Sequence, residues 1–263
     1  MKILTINTIT MTLSEIKEKI NNAPDLDFGD IINQSIELFK KVWLKGFIVV
    51  LIIMVCSVGL SFIFLGIGLT QEFNFLGEMD HLDTLYGAFF WNVIFSIPQT
   101  IIVSSISLAL MAAFYRICNE LETGMTSDDD FFYFFKNGNF RKILSLGIVY
   151  ALIASVAQLL FLVPYIYVFV PIAYFSVILA FNADLSETDI IKASFSLGNK
   201  KWLISFGTMF VAAIIGGLGI IACLIGVLFT ISISYLPVYL IYKKVVGFDQ
   251  PNEIDSIGQK EEF

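Results

Sequence analysis

The sequence predicts an all-α integral membrane protein with six transmembrane helices, and three observations support this prediction. Hydrophobic residues make up 57% of the 263-residue chain, and the mean hydropathy is +0.82. Only 15% of the residues are charged, against about 25% in an ordinary soluble domain. The chain also contains four long runs without any charged residue, which a soluble domain could not bury completely. A net charge of −7 gives no basic field for nucleic acid.

The lengths of the uncharged runs set the number of crossings. They span residues 46–71, 86–115, 143–183 and 202–242. The runs 143–183 and 202–242 are the longest, and a single helix over either of them would extend about 60 Å. This is twice the hydrocarbon thickness of about 30 Å, so each of these two runs is predicted to fold as a helical hairpin. Pro164 marks the turn of the first hairpin, and a cluster from Gly216 to Gly226 marks that of the second. The predicted crossings are 47–69, 88–114, 143–163, 166–182, 203–219 and 224–242.

The lysines and arginines predict the orientation. All 16 lie outside the crossings, and the connection 72–87 contains none of them. The positive-inside rule then places both termini in the cytoplasm, at the plasma (inner) membrane. The predicted organisation is a cytoplasmic tail over 1–27, a six-helix membrane domain over 28–246 and a cytoplasmic tail over 247–263. Residues 1–22 have no apolar core, so no cleavable signal peptide is expected.

A repeated segment divides the membrane domain into three units. Residues 30–47 (DIINQSIELFKKVWLKGF) and 189–206 (DIIKASFSLGNKKWLISF) are identical at nine of 18 positions, and 130–147 is a weaker copy. Each unit therefore reads as an amphipathic segment, a basic cluster and a pair of crossings. One-sided apolar faces predict helices lying flat at the lipid headgroups, with Trp43 and Trp202 at the cytoplasmic boundary. The alternative is that these are short cytoplasmic helices packed on one another.

The last copy carries a family resemblance. Ser194-Phe195-Ser196-Leu197, followed by Gly198-Asn199 and Trp202 ahead of a long apolar run, resembles the recurring element of a bacterial six-helix membrane family. That family includes the membrane domain attached to some glycerophosphoryl diester phosphodiesterases, together with many stand-alone proteins. The resemblance covers about 28–247 and implies a bacterial membrane location and a repeat topology. It implies no activity, since no phosphodiesterase domain is expected in this chain.

The residues predict no catalytic, cofactor-binding or metal site. His81 is the only histidine, and one histidine cannot supply a zinc or non-haem iron site. With Glu78, Asp80 and Asp83 it forms either a weak cation site or, as we interpret it, a solvated acidic loop, because the spacing does not match an EF-hand. Serines in the crossings have no intramembrane histidine or lysine to activate them. Three scattered cysteines do not predict a disulfide framework; they are Cys56, Cys118 and Cys223.

The crossings also lack the charged residues that ion-coupled carriers place inside the bilayer. Gln99 beside Pro98 is the strongest candidate for a functional polar group there, and the alternative is an interhelical packing contact. Other polar and proline candidates are Asn92, Thr100, Tyr150, Gln158, Tyr174, Pro171 and Pro237.

We expect a non-enzymatic multi-pass protein of membrane organisation, lipid interaction or partner assembly. Its expected partners are membrane lipids and an unidentified protein, with no nucleic acid and no cofactor. The alternative is a transporter or facilitator subunit for a small apolar or amphipathic solute.

Overall fold

The computed structural model describes residues 11–68, 82–124, 130–136, 138–160, 162–222 and 226–248. The predicted acidic loop with Glu78, Asp80 and His81 lies outside the described residues, as does Cys223, and nothing is described of the Asp83 side chain. Over these ranges the chain forms helices and no strand. Cys56 and Cys118 are free thiols.

The described residues form ten α-helices and two 3₁₀ helices. The α-helices are α1 Leu13–Asn21, α2 Phe28–Gly66, α3 Leu82–Thr123, α4 Tyr133–Lys136, α5 Phe140–Leu159, α6 Leu162–Phe181, α7 Glu187–Lys200, α8 Trp202–Gly217, α9 Gly226–Thr230 and α10 Leu236–Val245. The 3₁₀ helices cover Leu218–Ala222 and Ile231–Tyr235.

Six helical stretches of the described chain are long and apolar enough to cross a membrane. They are Phe28–Gly66, Phe89–Thr123, Phe140–Leu159, Val163–Phe181, Trp202–Ile221 and Gly226–Val245. The predicted all-α character is therefore confirmed over the described residues, and the six apolar helical stretches agree with the predicted number of crossings.

The helix that contains the first crossing begins well before the predicted crossing. Its amphipathic segment is not a separate helix at the membrane surface, because α2 runs without a break from Phe28 to Gly66. The reason lies in one stripe of buried residues at helical spacing, which continues from the polar half into the apolar half. The stripe consists of Ile31, Ser35, Leu38, Val42, Gly46 and Val49.

The two hairpin turns lie close to where the sequence predicts them. In the first hairpin, α5 ends at Leu159 and α6 begins at Leu162, so Pro164 sits in the first turn of α6 rather than in the connection. Proline is tolerated there because the first turn of a helix leaves its N–H groups unpaired anyway. In the second hairpin the chain reverses at the predicted glycines: a methyl group on Gly219 would lie 2.6 Å from the carbonyl oxygen of Gly226.

Small residues allow the helices to approach closely around α3. Gly147 of α5 lies against Ser105 of α3, where a methyl group on the glycine would fall 2.9 Å from the Ser105 Cβ. Ser104 Oγ donates a hydrogen bond to the Gly147 carbonyl oxygen at 3.0 Å. Close backbone contact of this kind is typical of helices packed within membranes.

Basic residues from different units meet at one end of the bundle, which we call the basic end. Lys243 and Lys244 at the end of α10 pair with Glu122 of α3 and Asp30 of α2, each at 2.7 Å. Lys142 at the start of α5 donates a hydrogen bond to the carbonyl oxygen that follows α6. The starts of α2 and α5 therefore share this end with the ends of α3, α6 and α10.

The apolar face of α7 is covered by protein. Ile190 and Leu197 of this face are fully buried, and α7 packs against α6 and α1. The last copy therefore packs its apolar face on protein, and the helices that cover this face, α6 and α1, are not the other two copies of the segment.

Candidate functional site: a cavity within the bundle

A cavity of about 290 Å³ lies between the helices, half-way along the crossings. This volume lies just below the lower limit of typical small-molecule sites, which measure about 300–1,000 Å³. Residues from all six crossings line it. They are Ile53, Thr100, Val103, Ser104, Ser107, Leu108, Met111, Tyr115, Tyr150, Phe169, Ile172, Ala173, Ser176, Met209, Tyr235 and Val238.

The wall of the cavity is mostly apolar, and the polar side chains that the described residues contribute to it all carry hydroxyl groups. The hydroxyls belong to Thr100, Ser104, Ser107, Tyr115, Tyr150, Ser176 and Tyr235. Since no charged side chain among the described residues lines this cavity, an ionised ligand would be left unpaired in an apolar site, which is costly. The chemistry of the wall therefore suits a neutral molecule with a long apolar part and a hydroxyl or carbonyl group.

Four of these hydroxyls are satisfied by the protein backbone. Thr100 Oγ1 donates to the Ser96 carbonyl oxygen at 2.9 Å, and Ser104 Oγ donates to that of Gly147. Tyr115 Oη donates to the Tyr235 carbonyl oxygen at 3.1 Å, while Ser176 Oγ donates within α6. These groups shape the wall, since their hydrogen-bonding capacity is partly used.

The other three hydroxyls have no such partner. Those of Ser107, Tyr150 and Tyr235 form no hydrogen bond with any described residue, and all three side chains are only partly buried. They come from α3, α5 and the 3₁₀ helix before α10. Polar groups inside a membrane protein normally find partners. Three unpaired hydroxyls around one cavity therefore point to a ligand or to water inside it.

The 3₁₀ helix brings Tyr235 to the cavity by interrupting the last crossing. Helix α9 ends at Thr230, and the tighter 3₁₀ turn follows over Ile231–Tyr235. Thr230 Oγ1 donates a hydrogen bond to the Gly216 carbonyl oxygen at 2.5 Å. This bond ties the end of α9, where the helix is interrupted, to α8. Irregular backbone at membrane depth is typical where it is buried in protein or lines a cavity.

The strongest sequence candidate, Gln99, does not line this cavity. Its Nε2 atom donates to Ser61 Oγ at 2.8 Å, so it links α3 to α2 as a packing contact does. Among the other candidates, Thr100 and Tyr150 line the cavity. Tyr174 is buried, and its Oη atom forms a hydrogen bond of 2.6 Å with Ser205 Oγ. No group of three or more potential metal ligands occurs among the described residues.

Sequence analysis missed Ser107 and Tyr235 as members of this site. The sequence did contain a signal for Ser107. It lies on one helical stripe with the other cavity residues of α3, at the spacing Thr100, Ser104, Ser107 and Met111. Tyr235 left no such signal, since its position depends on the interruption of the last crossing.

The junction of α7 and α8 is held on α6 by the residues that carry the family resemblance. Pro171 has no N–H, so the carbonyl oxygen of Tyr167 one turn earlier lacks its helical partner. Trp202 Nε1 donates to that oxygen at 3.0 Å. Tyr167 Oη donates to Asn199 Oδ1 at 2.9 Å, and Gly198 packs directly on Pro171. Trp202 therefore has a partner in the protein besides its predicted place at the membrane boundary.

Comparisons with protein families, with curated proteins and with solved structures found no match to this chain.

Proposed function

We propose that this chain is a non-enzymatic multi-pass membrane protein of lipid interaction that holds a neutral amphipathic molecule in its intramembrane cavity. The observation that carries this proposal is a set of three hydroxyls around an apolar cavity of about 290 Å³ that have no hydrogen-bond partner among the described residues, those of Ser107, Tyr150 and Tyr235. A monoacylglycerol has the matching chemistry, because its hydroxyls can both donate and accept while its acyl chain fills the apolar part.

Photolabelling tests the proposal directly. The full chain in lipid nanodiscs is exposed to a monoacylglycerol with a diazirine in its acyl chain, and the labelled peptides are mapped by mass spectrometry. We expect labelling in α3 between Thr100 and Met111 and in α6 between Phe169 and Ser176. The fatty acid with the same diazirine chain should label these segments far more weakly, because its carboxylate finds no counter-charge in the cavity.

Variants separate the cavity from general lipid contact. Replacing both Tyr150 and Tyr235 by phenylalanine removes two hydroxyls with little change of shape, and each lost hydrogen bond should lower binding about fivefold. The matched control is Tyr133→Phe in α4, whose hydroxyl also forms no hydrogen bond with a described residue and does not line the cavity. Equal labelling by the fatty acid, or equal labelling of the double variant and the control, would contradict the proposal.

A second candidate function is that of a facilitator for a small apolar or amphipathic solute. The interruption of the last crossing at Ile231–Tyr235, beside the cavity, favours it. A facilitator predicts that proteoliposomes release a preloaded neutral solute faster than empty liposomes, and that Ala173→Leu, which narrows the cavity, slows the release. Binding of the monoacylglycerol without faster release would favour the lipid-interaction role.

The orientation and the repeat belong to the same proposal. The gathering of Lys142, Lys243 and Lys244 at the basic end supports an arrangement in which the basic clusters share one side. We place that side, with both termini, in the cytoplasm of a bacterial inner membrane. We also propose that the three units derive from one repeated element of the six-helix family described above, and that a protein partner binds at the cytoplasmic side.

A further inference from the structure

We propose that a groove at the basic end holds one anionic phospholipid, with its phosphate at Lys200 and Lys201 and an acyl chain lying against Phe28, Leu203 and Gly207. This inference rests on the proposed role in lipid interaction and adds a second lipid site, separate from the intramembrane cavity.

The groove lies where the linker between α1 and α2 meets the junction of α7 and α8. It has a volume of about 590 Å³. Its wall comprises Asp25, Leu26, Phe28, Lys200, Lys201, Leu203, Ile204 and Gly207. The polar part of this wall lies at the α7–α8 junction and in the linker. The apolar part lies on the first two turns of α8, with Leu26 from the linker and Phe28 from the start of α2.

Lys201 is the anchor of the groove. Only 9% of its surface is exposed, and its ammonium group forms no ion pair with any described residue. One of its three N–H groups donates to the Pro24 carbonyl oxygen at 2.7 Å, which leaves two donors for another acceptor. A nine-tenths-buried lysine without a counter-charge is unusual. Lys200 beside it is exposed and adds a second positive charge.

The third charge in the wall is Asp25, which is exposed and likewise forms no ion pair with a described residue. Two lysines and one aspartate leave the groove with an excess of one positive charge. A phosphodiester carries one negative charge and several acceptor oxygens, so it complements this excess. The negative charge of Asp25 repels such a ligand. Removing this charge should therefore strengthen phospholipid binding.

The apolar part of the groove continues into the lipid-facing side of α8. Leu203, Phe210 and Ile214 lie on one stripe of this helix and are 78%, 57% and 52% exposed. Gly207 forms a notch in that stripe, and the ring of Phe28 closes one side of the notch. A ligand with a charged head at the lysines can therefore extend a hydrocarbon chain along the helix into the bilayer. A protein partner would need a charged end and a long apolar extension in lipid, so a phospholipid fits the observations better.

Native mass spectrometry of the full chain, titrated with equal amounts of phosphatidylglycerol and phosphatidylcholine of the same acyl chains, tests the site. We expect one phosphatidylglycerol molecule to bind in preference. Lys200→Gln should weaken that binding about fivefold, the effect of about 1 kcal/mol for one lysine near an anionic headgroup. Lys192→Gln, an exposed lysine on the same helix outside the groove, should leave it unchanged. Asp25→Asn should strengthen it.

A second pair of variants keeps the charges and changes only the apolar part. Gly207→Leu fills the notch and should reduce the bound phosphatidylglycerol severalfold, whereas Gly217→Leu, where the space around the glycine is open, should not. Equal binding of the two lipids, equal loss in Lys192→Gln, or weaker binding in Asp25→Asn would overturn the proposal. None of these residues lines the cavity, so monoacylglycerol labelling of the same variants shows separately whether the proposed function holds.

Discussion

Replacing Gly198 by alanine should loosen the contact between α6 and α7. A methyl group there would lie 2.6 Å from Cα and 2.9 Å from the nitrogen of Pro171. Carbon atoms pack at about 3.5–4.0 Å, so the two helices have to separate by roughly 1 Å. Overpacking of this kind costs about 1–3 kcal/mol. Alanine recovers about 0.5–1 kcal/mol as the better helix former, and we expect a net loss of about 1–2 kcal/mol.

Thermal unfolding of the full chain in nanodiscs, followed by near-ultraviolet circular dichroism, measures this loss. A decrease of about 2–8 °C in Tm is expected for a chain of this size. The matched control is Gly59→Ala in α2, where no atom lies within 4 Å of the added methyl group and stability should stay equal or rise. If Gly198→Ala unfolds at the same temperature as Gly59→Ala, the close contact of α7 with Pro171 is not what fixes this junction.

Two further variants test local hydrogen bonds. Trp202→Phe leaves the Tyr167 carbonyl oxygen without its donor, and the variant should lose about 1–3 kcal/mol of unfolding free energy; unchanged stability in chemical denaturation would contradict the role given to this bond. In the capping box of α1, hydrogen bonds from the backbone and side chain of Thr12 lower the pKa of Glu15. A lowered folded-state pKa stabilises the helix above the ordinary value, and this stabilisation is lost as the pH falls through the lowered one. The protection factors of the α1 amides, which correct for the intrinsic pH dependence of exchange, should therefore fall in acid and should depend less on pH in Thr12→Ala; an identical pH dependence in both proteins would refute the assignment.

Much of the fold could be predicted because the membrane imposes it. Uncharged runs longer than one crossing have to reverse, and glycines around Gly219 mark one reversal correctly. The ends of the helices were harder to predict, because an uncharged run ends at the first charged residue, whereas a helix can continue past it. The continuous stripe from Ile31 to Val49 shows that α2 extends well beyond its uncharged part. The turn predicted at Pro164 lies a few residues earlier, because Pro164 stands in the first turn of α6.

The candidate site was less predictable. Thr100 and Tyr150 were recognised as polar groups of the crossings, but their meeting around one cavity depends on how α3, α5 and α6 pack, which no local pattern records. Gln99 was the strongest candidate from the sequence because it follows Pro98. In the structure its side chain donates a hydrogen bond to Ser61 and does not line the cavity. The unpaired state of the Tyr235 hydroxyl follows from a 3₁₀ turn that composition does not signal.

An electron cryomicroscopy structure of the chain in nanodiscs containing the monoacylglycerol, with a rigid binder added for size, would examine the cavity itself. Our account predicts elongated non-protein density inside it, with the polar end within hydrogen-bond distance of the hydroxyls of Ser107, Tyr150 and Tyr235. A cavity filled by rearranged side chains, or one that holds only water when the monoacylglycerol is present in excess, would contradict the account.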